Sequence, residues 1–272
     1  KLKLFMNLDF SDDQKFLQEE ARKFLEKEKS ISRNRSVLET ESHADQELWN
    51  KIVDLGWTGI RIPEDYGGLG LGHLELCVIA EELGRYLAPV PFSSSVYLFT
   101  EAIINYGNEE IKKDLLPKLV TGEVIGTLAV TEELYAPSKS NIKVSSKNNI
   151  LNGKKIAVPD AEIATHSLVV SKSDKGVSLQ LVDLSSPGVT IKHQENIDES
   201  RGHFSIEFDG VKSDLVGDEN SGWELYETLI NQAAVLFSYE QIGGSQAALD
   251  MAINYAKERY AFGRPIGSYQ AI

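Results

Sequence analysis

The feature that most limits the fold of this chain is a change of sequence pattern near Gly122. Across residues 11–123 apolar side chains recur at helical spacing. Across residues 125–216 short segments rich in Val, Ile, Ser and Thr are separated by Gly, Asn, Asp and Pro, which is typical of strands joined by turns. Residues 221–260 return to the helical pattern. The sequence therefore predicts a helical unit, an all-β unit of sandwich or barrel type, and a further helix.

Several boundaries of the first unit follow from capping and breaking residues. Ser11 is a good N-cap for the first helix, since acidic residues fill its first turn. The polar, aperiodic segment 30–43 predicts a loop. Gly56 ends the helix predicted over 45–55, and the glycine-rich letters PEDYGGLGLG that follow predict a long turn. Further helices are predicted at 73–86, 91–105 and 109–119.

The later units have equally clear patterns. Alternating strands are predicted in SLVVSKS, GVSLQLVDL, GVTIKHQ and HFSIEFDGV. Inside the last helix stand Gly243 and Gly244, which cost about 1 kcal/mol each relative to Ala in a helix. We therefore expect another helix to approach closely at this pair.

Composition narrows the functional class. The chain has 272 residues, of which 42% are hydrophobic and 25% charged, and its net charge is −13. This length predicts two or three domains, and the composition argues against disorder. The negative charge disfavours nucleic acid and anionic membranes as partners. An anionic cofactor would have to be met by local donors.

Cysteine content and hydropathy exclude further classes. Cys77 is the only cysteine, so there is no internal disulfide and no cysteine-based metal site, and its apolar surroundings predict a core residue. No apolar run approaches the length of a membrane span. Met6 is a candidate start, and we expect a cytoplasmic enzyme.

The C-terminal letters ERYAFGRPIGSYQAI carry the main functional signal. Arg259 and Phe262 lie three residues apart, so on one helix they would share a face, and Gly263 and Pro265 then interrupt the helix. A guanidinium beside an aromatic ring suits a flat, polyanionic ligand. The alternative is a solvated arginine and a core phenylalanine before a turn.

This motif resembles R-x-x-F-G-x-P-I-x-x-[FY]-Q-x-I of the acyl-CoA dehydrogenase family, the flavoenzymes that introduce a double bond between Cα and Cβ of an acyl thioester. The resemblance extends over nearly the whole chain. Four other segments match family motifs in the right order: Pro63–Gly70, Ala80–Gly84, Ala129–Glu132 and Leu151–Lys154.

The resemblance implies a multidomain α+β architecture. It assigns 1–122 to an N-terminal helical domain, 123–217 to a middle β domain, and 218–272 to the beginning of a C-terminal helical bundle. It also implies FAD as cofactor, an acyl-CoA substrate oxidised to the trans-2-enoyl-CoA, and electron-transfer flavoprotein as the electron acceptor.

The resemblance places the cofactor-binding residues in two groups. Arg259, Phe262 and Gln270 would grip the flavin pyrophosphate of an adjoining subunit, which implies self-association or a second dehydrogenase subunit. The flavin ring would lie on two segments of the β domain. These contain Leu128, Ala129, Val130, Thr131, Ala157, Val158 and Pro159.

The second group departs from the family pattern. Ala157 and Pro159 replace the family's Trp and Thr, and Leu128 replaces an aromatic. Ala136 and Pro137 replace a Gly and a Ser, and proline offers neither a hydroxyl nor an N–H. Asn231 and Ala234 stand where the family has an Asp and an Arg that reach CoA.

The catalytic base, a glutamate in most members, has no visible counterpart. It is expected beyond Ile272, and at the position used by some members this chain has Ala233; Glu240 is expected to face elsewhere. These departures favour either a divergent dehydrogenase for bulky or branched acyl groups, or a flavin-poor partner in a two-subunit enzyme. Weaker alternatives are an acyl-CoA oxidase or nitroalkane oxidase relative, and a non-redox binding protein.

Overall fold

The computed structural model describes residues 9–40 and 43–271. Its first part is helical, and its middle part is a sheet that precedes one long helix. The helices are α1 Asp12–Lys27, α2 Ser30–Leu38, α3 Gln46–Asp54, α4 His73–Arg85, a π-helical segment Ser93–Thr100 that continues into α5 Glu101–Tyr106, α6 Glu109–Val120 and α7 Gly222–Glu258. The strands are β1 Gly126–Ala129, β2 Ser145–Lys147, β3 Ile150–Pro159, β4 His166–Ser173, β5 Gly176–Asp183, β6 Val189–Gln194, β7 His203–Lys212, β8 Asp214–Val216, and a small hairpin of β9 Tyr260–Ala261 and β10 Arg264–Pro265.

The predicted helix boundaries are largely confirmed. Ser11 caps α1 with a full capping box, in which its hydroxyl accepts from the Gln14 N–H while the Gln14 side chain accepts from the Ser11 N–H. The Asp45 carboxylate caps α3 by accepting from the Leu48 N–H. Gly56 follows α3 with a φ of 74°, a left-handed conformation that glycine adopts easily.

The loop predicted over 30–43 is wrong for most of its length, because Ser30–Leu38 forms α2. This helix has no long apolar stripe and is held by charge instead. Arg33 forms ion pairs with Glu28, Asp45 and Glu47. Polar anchoring of this kind leaves no periodic signal in the sequence. Residues 41 and 42 lie outside the described residues.

The strands form one eight-stranded sheet in the order β6-β7-β3-β2-β4-β5-β8, with β1 paired parallel to β4 beside this path. The four predicted strands correspond to β4, β5, β6 and β7. The long β3 was missed, because an extra residue after Lys155 breaks its alternation; a further register shift, after Leu151, places the extra residue Gly210 on β7. The strand-rich unit between helical segments is confirmed, while the domain limits at 122 and 217 stay predictions.

Helices α4 and α7 cross at their glycines, as the Gly243-Gly244 pair predicted. A side chain at Gly243 would collide with the Glu81 carbonyl oxygen, and one at Gly84 would collide with that of Glu240. An ion pair of 2.5 Å between Arg85 and Asp250 lies beside the crossing. The backbones therefore touch, which only glycine permits.

In the part of the chain that the structure describes, no helix is both long and apolar enough to cross a membrane. Cys77 is buried, as predicted, and burial raises the pKa of its thiol to about 11.

Candidate active site

The first candidate segment, residues 128–131, runs along β1 and just beyond it. Leu128, Ala129 and Val130 are buried, and Thr131 is half-buried. The Thr131 carbonyl accepts a hydrogen bond of 2.8 Å from the Ile156 N–H. Among the described residues the Thr131 hydroxyl has no hydrogen-bond partner. The segment thus holds its backbone fixed and leaves one hydroxyl free.

A buried ion pair fixes the far end of this segment. Lys155 is fully buried, and its Nζ donates to Glu132 Oε1 at 2.6 Å and to the Val130 carbonyl at 2.9 Å. Glu132 also accepts the N–H groups of Lys143 at 2.7 Å and Val144 at 3.1 Å. Burial lowers the pKa of Lys155 to about 8, although the Glu132 carboxylate acts in the opposite direction.

Sequence reasoning missed Lys155. Leu151, Gly153 and Lys155 alternate along one strand, and a lysine on the inward face of a strand needs a buried partner. That signal, read together with Glu132 in the Thr-Glu motif, would have identified the pair.

The second candidate segment, residues 157–159, offers few side-chain contacts. Ala157 is exposed with a φ of 51°, and its N–H donates to Gln194 Oε1 at 2.8 Å. Val158 is buried, and the Pro159 carbonyl accepts from the Thr127 hydroxyl at 2.6 Å. This segment presents backbone and small groups where the resemblance implied a large ring and a hydroxyl.

The loop after Glu132 does not restore the missing serine. The Ser138 hydroxyl lies 3.1 Å from that of Ser140, and the Ser138 N–H donates to Asn141 Oδ1 at 2.8 Å. Leu134 in the same loop is fully exposed. Lys139 ties the loop to α7 through an ion pair of 2.6 Å with Glu224.

The third group lies on the hairpin that follows α7. The expectation that Arg259 and Phe262 share a helix face is wrong, because α7 ends at Glu258. Phe262 and Gly263 have φ values of 53° and 83°, which form a tight turn between β9 and β10. Phe262 is 98% exposed, and Arg259 and Gln270 are exposed too.

The hairpin is stabilised by other residues. The Arg264 guanidinium carbon lies 3.9 Å from the centre of the Tyr269 ring, and the Tyr269 hydroxyl donates to the Ala261 carbonyl at 2.8 Å. Among described residues, the side chains of Arg259 and Gln270 form no hydrogen bond or ion pair. The chain therefore does not join these two side chains to the sheet segments through polar contacts.

The expectation about Glu240 is also wrong. Ala233, Leu236 and Glu240 lie on one stripe of α7, since seven residues make almost two complete turns. Ala233 and Leu236 are buried, and Glu240 is half-buried beside Tyr97 and Arg201. Burial raises the pKa of the Glu240 carboxyl. Asn231 and Ala234 are exposed on another face.

A second polar cluster, absent from the sequence analysis, lies next to Pro159. Asp160 is buried, accepts from the Ser94 hydroxyl at 2.5 Å, and forms an ion pair with Arg201. Arg201 Nη1 donates to the Ser93 hydroxyl at 2.5 Å. The cluster links the β6–β7 loop to the helical part of the chain.

Comparison with known proteins identifies the family. The N-terminal domain of acyl-CoA dehydrogenases matches residues 11–123, and the C-terminal domain matches residues 220–272. This chain belongs to the acyl-CoA dehydrogenase family. Members of the family are oxidoreductases that act on CH–CH bonds of acyl-CoA, and their cofactor is FAD. The resemblance seen in the sequence motifs is confirmed.

Individual relatives cover almost the whole chain. The mitochondrial isovaleryl-CoA dehydrogenase of Pongo abelii is 30% identical over 278 residues, which are 96% of this chain and 66% of that protein. This chain thus spans about two thirds of the relative's length.

Two solved structures are also similar. One was solved in work on the electron transferring flavoprotein of Acidaminococcus fermentans. It is 26% identical to this chain, with a TM-score of 0.89 over 98% of this chain and 74% of the other. The ChsE4-ChsE5 complex of Mycobacterium tuberculosis gives 27% identity and a TM-score of 0.87 over 98% of this chain and 72% of the other.

The free groups of this acyl-CoA dehydrogenase relative suit FAD. The Thr131 hydroxyl can bond the edge of a flavin ring, and the Arg259 guanidinium can pair with a pyrophosphate. The exposed Phe262 ring offers a flat apolar surface. Polar groups without partners in the chain are the groups that a bound cofactor would use.

Proposed function

We propose that this chain catalyses the FAD-dependent α,β-dehydrogenation of an acyl-CoA thioester to the trans-2-enoyl-CoA. The observation that carries the proposal is segment 128–131, whose backbone is fixed by the Lys155–Glu132 pair and whose Thr131 hydroxyl is free. Family membership supports the same reaction.

In this proposal Leu128–Thr131 and Ala157–Pro159 hold the flavin ring. Arg259, Phe262 and Gln270 bind the pyrophosphate of the cofactor in a neighbouring subunit. When bound, FAD would accept the hydride that leaves the substrate Cβ. The residue that takes the Cα proton is unassigned.

A second candidate is a flavin-poor partner in a two-subunit dehydrogenase. It is favoured by Pro137, Ala157 and Pro159, which lack the side chains that the resemblance implied. Similarity to a two-protein complex of the family supports it. In either case we propose electron-transfer flavoprotein as the electron acceptor and the cytoplasm as the location. An acyl-CoA oxidase would instead pass its electrons to oxygen and consume oxygen at the same rate as substrate.

The visible absorption spectrum of the purified protein tests the proposal. A flavin band that is bleached by an acyl-CoA under anaerobic conditions supports the dehydrogenase. Loss of flavin on purification, with recovery of flavin and activity only after a second subunit is added, supports the partner subunit. A flavin band that no acyl-CoA bleaches, with or without a second subunit, contradicts both.

The acyl-chain length of the substrate and the oligomeric state of the protein provide two further tests. Because several side-chain contacts are missing, we expect slow turnover of simple straight-chain acyl-CoAs. Brisk turnover of butyryl-CoA by this chain alone, with full flavin content, would contradict that expectation. Light scattering at micromolar concentration should show at least a dimer, since the hairpin residues are proposed to reach another subunit.

A further inference from the structure

A cavity of about 130 Å³ lies between the end of α4, the middle of α7 and the β6–β7 loop. Part of its lining, the apolar wall, is formed by hydrophobic residues, and another part, the polar wall, by hydroxyl and charged residues. The apolar wall includes Leu83, Leu87 and Val90, and the polar wall includes Ser93, Arg201 and Glu240.

The polar wall has hydrogen-bonding capacity that the chain does not use. Arg201 donates hydrogen bonds from Nη1 to the Ser93 hydroxyl and from Nη2 to the Asp160 carboxylate. Its buried Nε–H has no partner among the described residues. The Tyr97 phenol is not part of this lining; its burial, together with the neighbouring Glu240 carboxylate, raises its pKa. Unsatisfied buried donors are uncommon in folded proteins, so the Arg201 Nε–H points to a missing partner.

The charges define what that partner can be. Asp160 neutralises Arg201, so Glu240 carries the remaining charge of the wall. An anionic group would be repelled by Glu240, and a cation would offer no acceptor to the Arg201 Nε–H. A neutral hydroxyl satisfies both residues, because it accepts from Arg201 and donates to Glu240.

Chain continuity joins this wall to the candidate active site. Asp160 directly follows Pro159, whose carbonyl accepts from Thr127, and Asp160 itself holds both Ser94 and Arg201. Arg201, which lines the cavity, is therefore one ion pair and one peptide bond away from the segment proposed to hold the flavin ring. A cavity of this volume suits the end of a chain or one small ring, and not a larger ring system.

We propose that the cavity receives the distal end of the acyl group and selects acyl chains that carry a hydroxyl there. The inference rests on the proposed function, and it assigns Arg201 and Glu240 to substrate selection and not to the chemical step.

The test uses the full FAD-loaded protein and thioether analogues of acyl-CoA, which bind but cannot be oxidised. Pairs of analogues differ only in a terminal methyl or hydroxyl group, over a series of chain lengths. Isothermal titration calorimetry should show a hydroxyl preference of about tenfold at the length that reaches the cavity.

Two substitutions of Glu240 and one control substitution test whether this residue causes the preference for a terminal hydroxyl. Glu240→Leu should abolish it or turn it toward the methyl analogue, whereas Glu240→Gln should retain it within about threefold because the amide still accepts a hydrogen bond. Glu227→Leu, at an exposed position of the same helix, is the matched control and should leave it unchanged. Melting temperatures verify folding, and the Gln variant keeps the test decisive if the Leu variant does not fold.

The possible failures are distinguishable. If wild-type protein binds both analogues equally at every length, or prefers methyl, the inference is wrong while the proposed function stands. If it binds neither analogue and retains no flavin, the proposed function fails and the inference fails with it.

Discussion

The two halves of the candidate flavin site differ in where their polar groups find partners. In the sheet half, Lys155, Glu132 and the Val130 carbonyl satisfy one another inside the chain. In the hairpin half, Arg259 and Gln270 have no polar side-chain partner among the described residues, and Phe262 is almost fully exposed. The sheet half is therefore a folding feature that also presents candidate ligand-binding groups, whereas in the hairpin half the described residues give these polar side chains no contact that would stabilise the fold.

The largest expected effect is on folding, from Lys155→Met. Removing the lysine leaves the Glu132 carboxylate buried with only backbone donors, which should lower the free energy of unfolding by about 3 kcal/mol at pH 7. Urea denaturation measures it. Lys154→Met, at an exposed neighbouring position, should change it by less than about 0.5 kcal/mol. Adding Glu132→Gln to the Met variant should recover much of the loss; equal stability of the two single variants would show that the pair does not anchor the strand.

The same pair should give stability a distinctive pH dependence. The pKa of Lys155 is about 8 in the folded protein, whereas a lysine in an unfolded chain has its ordinary pKa of 10.5, so between these values the unfolded chain binds more protons. Stability from this residue therefore increases as pH rises from 8 to 10.5, by up to about 3 kcal/mol. The measurement is the difference in unfolding free energy between wild type and Lys155→Met across this range. A flat or falling difference contradicts the assignment.

In the hairpin half we expect the opposite result, in which a substitution weakens FAD binding and leaves folding stability unchanged. Arg259→Ala should raise the dissociation constant for FAD by about 10- to 100-fold, because a charge-assisted contact to phosphate contributes about 1.5–3 kcal/mol. The melting temperature of the flavin-free protein should not change, since the Arg259 side chain has no polar partner in the part of the chain that the structure describes. Lys257→Ala is the matched control and should retain flavin. Similar flavin content in both variants would remove Arg259 from the site.

The smallest effect compares two threonines in the sheet half. Thr131→Val removes a free hydroxyl, so unfolding should be nearly unchanged while FAD binding weakens about fivefold, near 1 kcal/mol. Thr127→Val removes a buried hydroxyl that donates to Pro159, so it should lower stability instead. Fluorescence titration with FAD and thermal unfolding together separate the two. If Thr131→Val destabilises the protein as much as Thr127→Val, the free hydroxyl has no special role in binding.

Local rules were enough for much of the fold. Caps at Ser11 and Asp45, the break at Gly56 and the close contact at Gly243 all follow from the chemistry of single residues. The strands β4 to β7 were found because each is a short run rich in β-branched and other apolar residues between turn residues, although β4 and β5 are buried along most of their length. The alternating pattern failed for β3, where an extra residue after Lys155 changes which face the following residues occupy.

The site was harder to predict, because its key partners are distant in sequence. Lys155 and Glu132 are 23 residues apart, and Arg201 and Asp160 are 41 apart. No rule based on spacing along the sequence predicts contacts between residues this far apart. Glu240 is different, since simple helical geometry would have placed it beside Ala233. The left-handed Phe262 is least predictable, because a bulky residue rarely adopts that conformation.

The crossing of α4 and α7 has a consequence for synthesis on the ribosome. Arg85 and Asp250 are separated by 165 residues, and the entire sheet lies between them. During translation α4 is complete long before α7 exists, so the groove around Gly84 stays open while the sheet is being made. The helix that fills it is made only after the sheet, and because backbone meets backbone there, no side chain can compensate for a shifted alignment. Assembly of this half of the molecule is therefore a late event, and the glycines determine whether it ends in the right register.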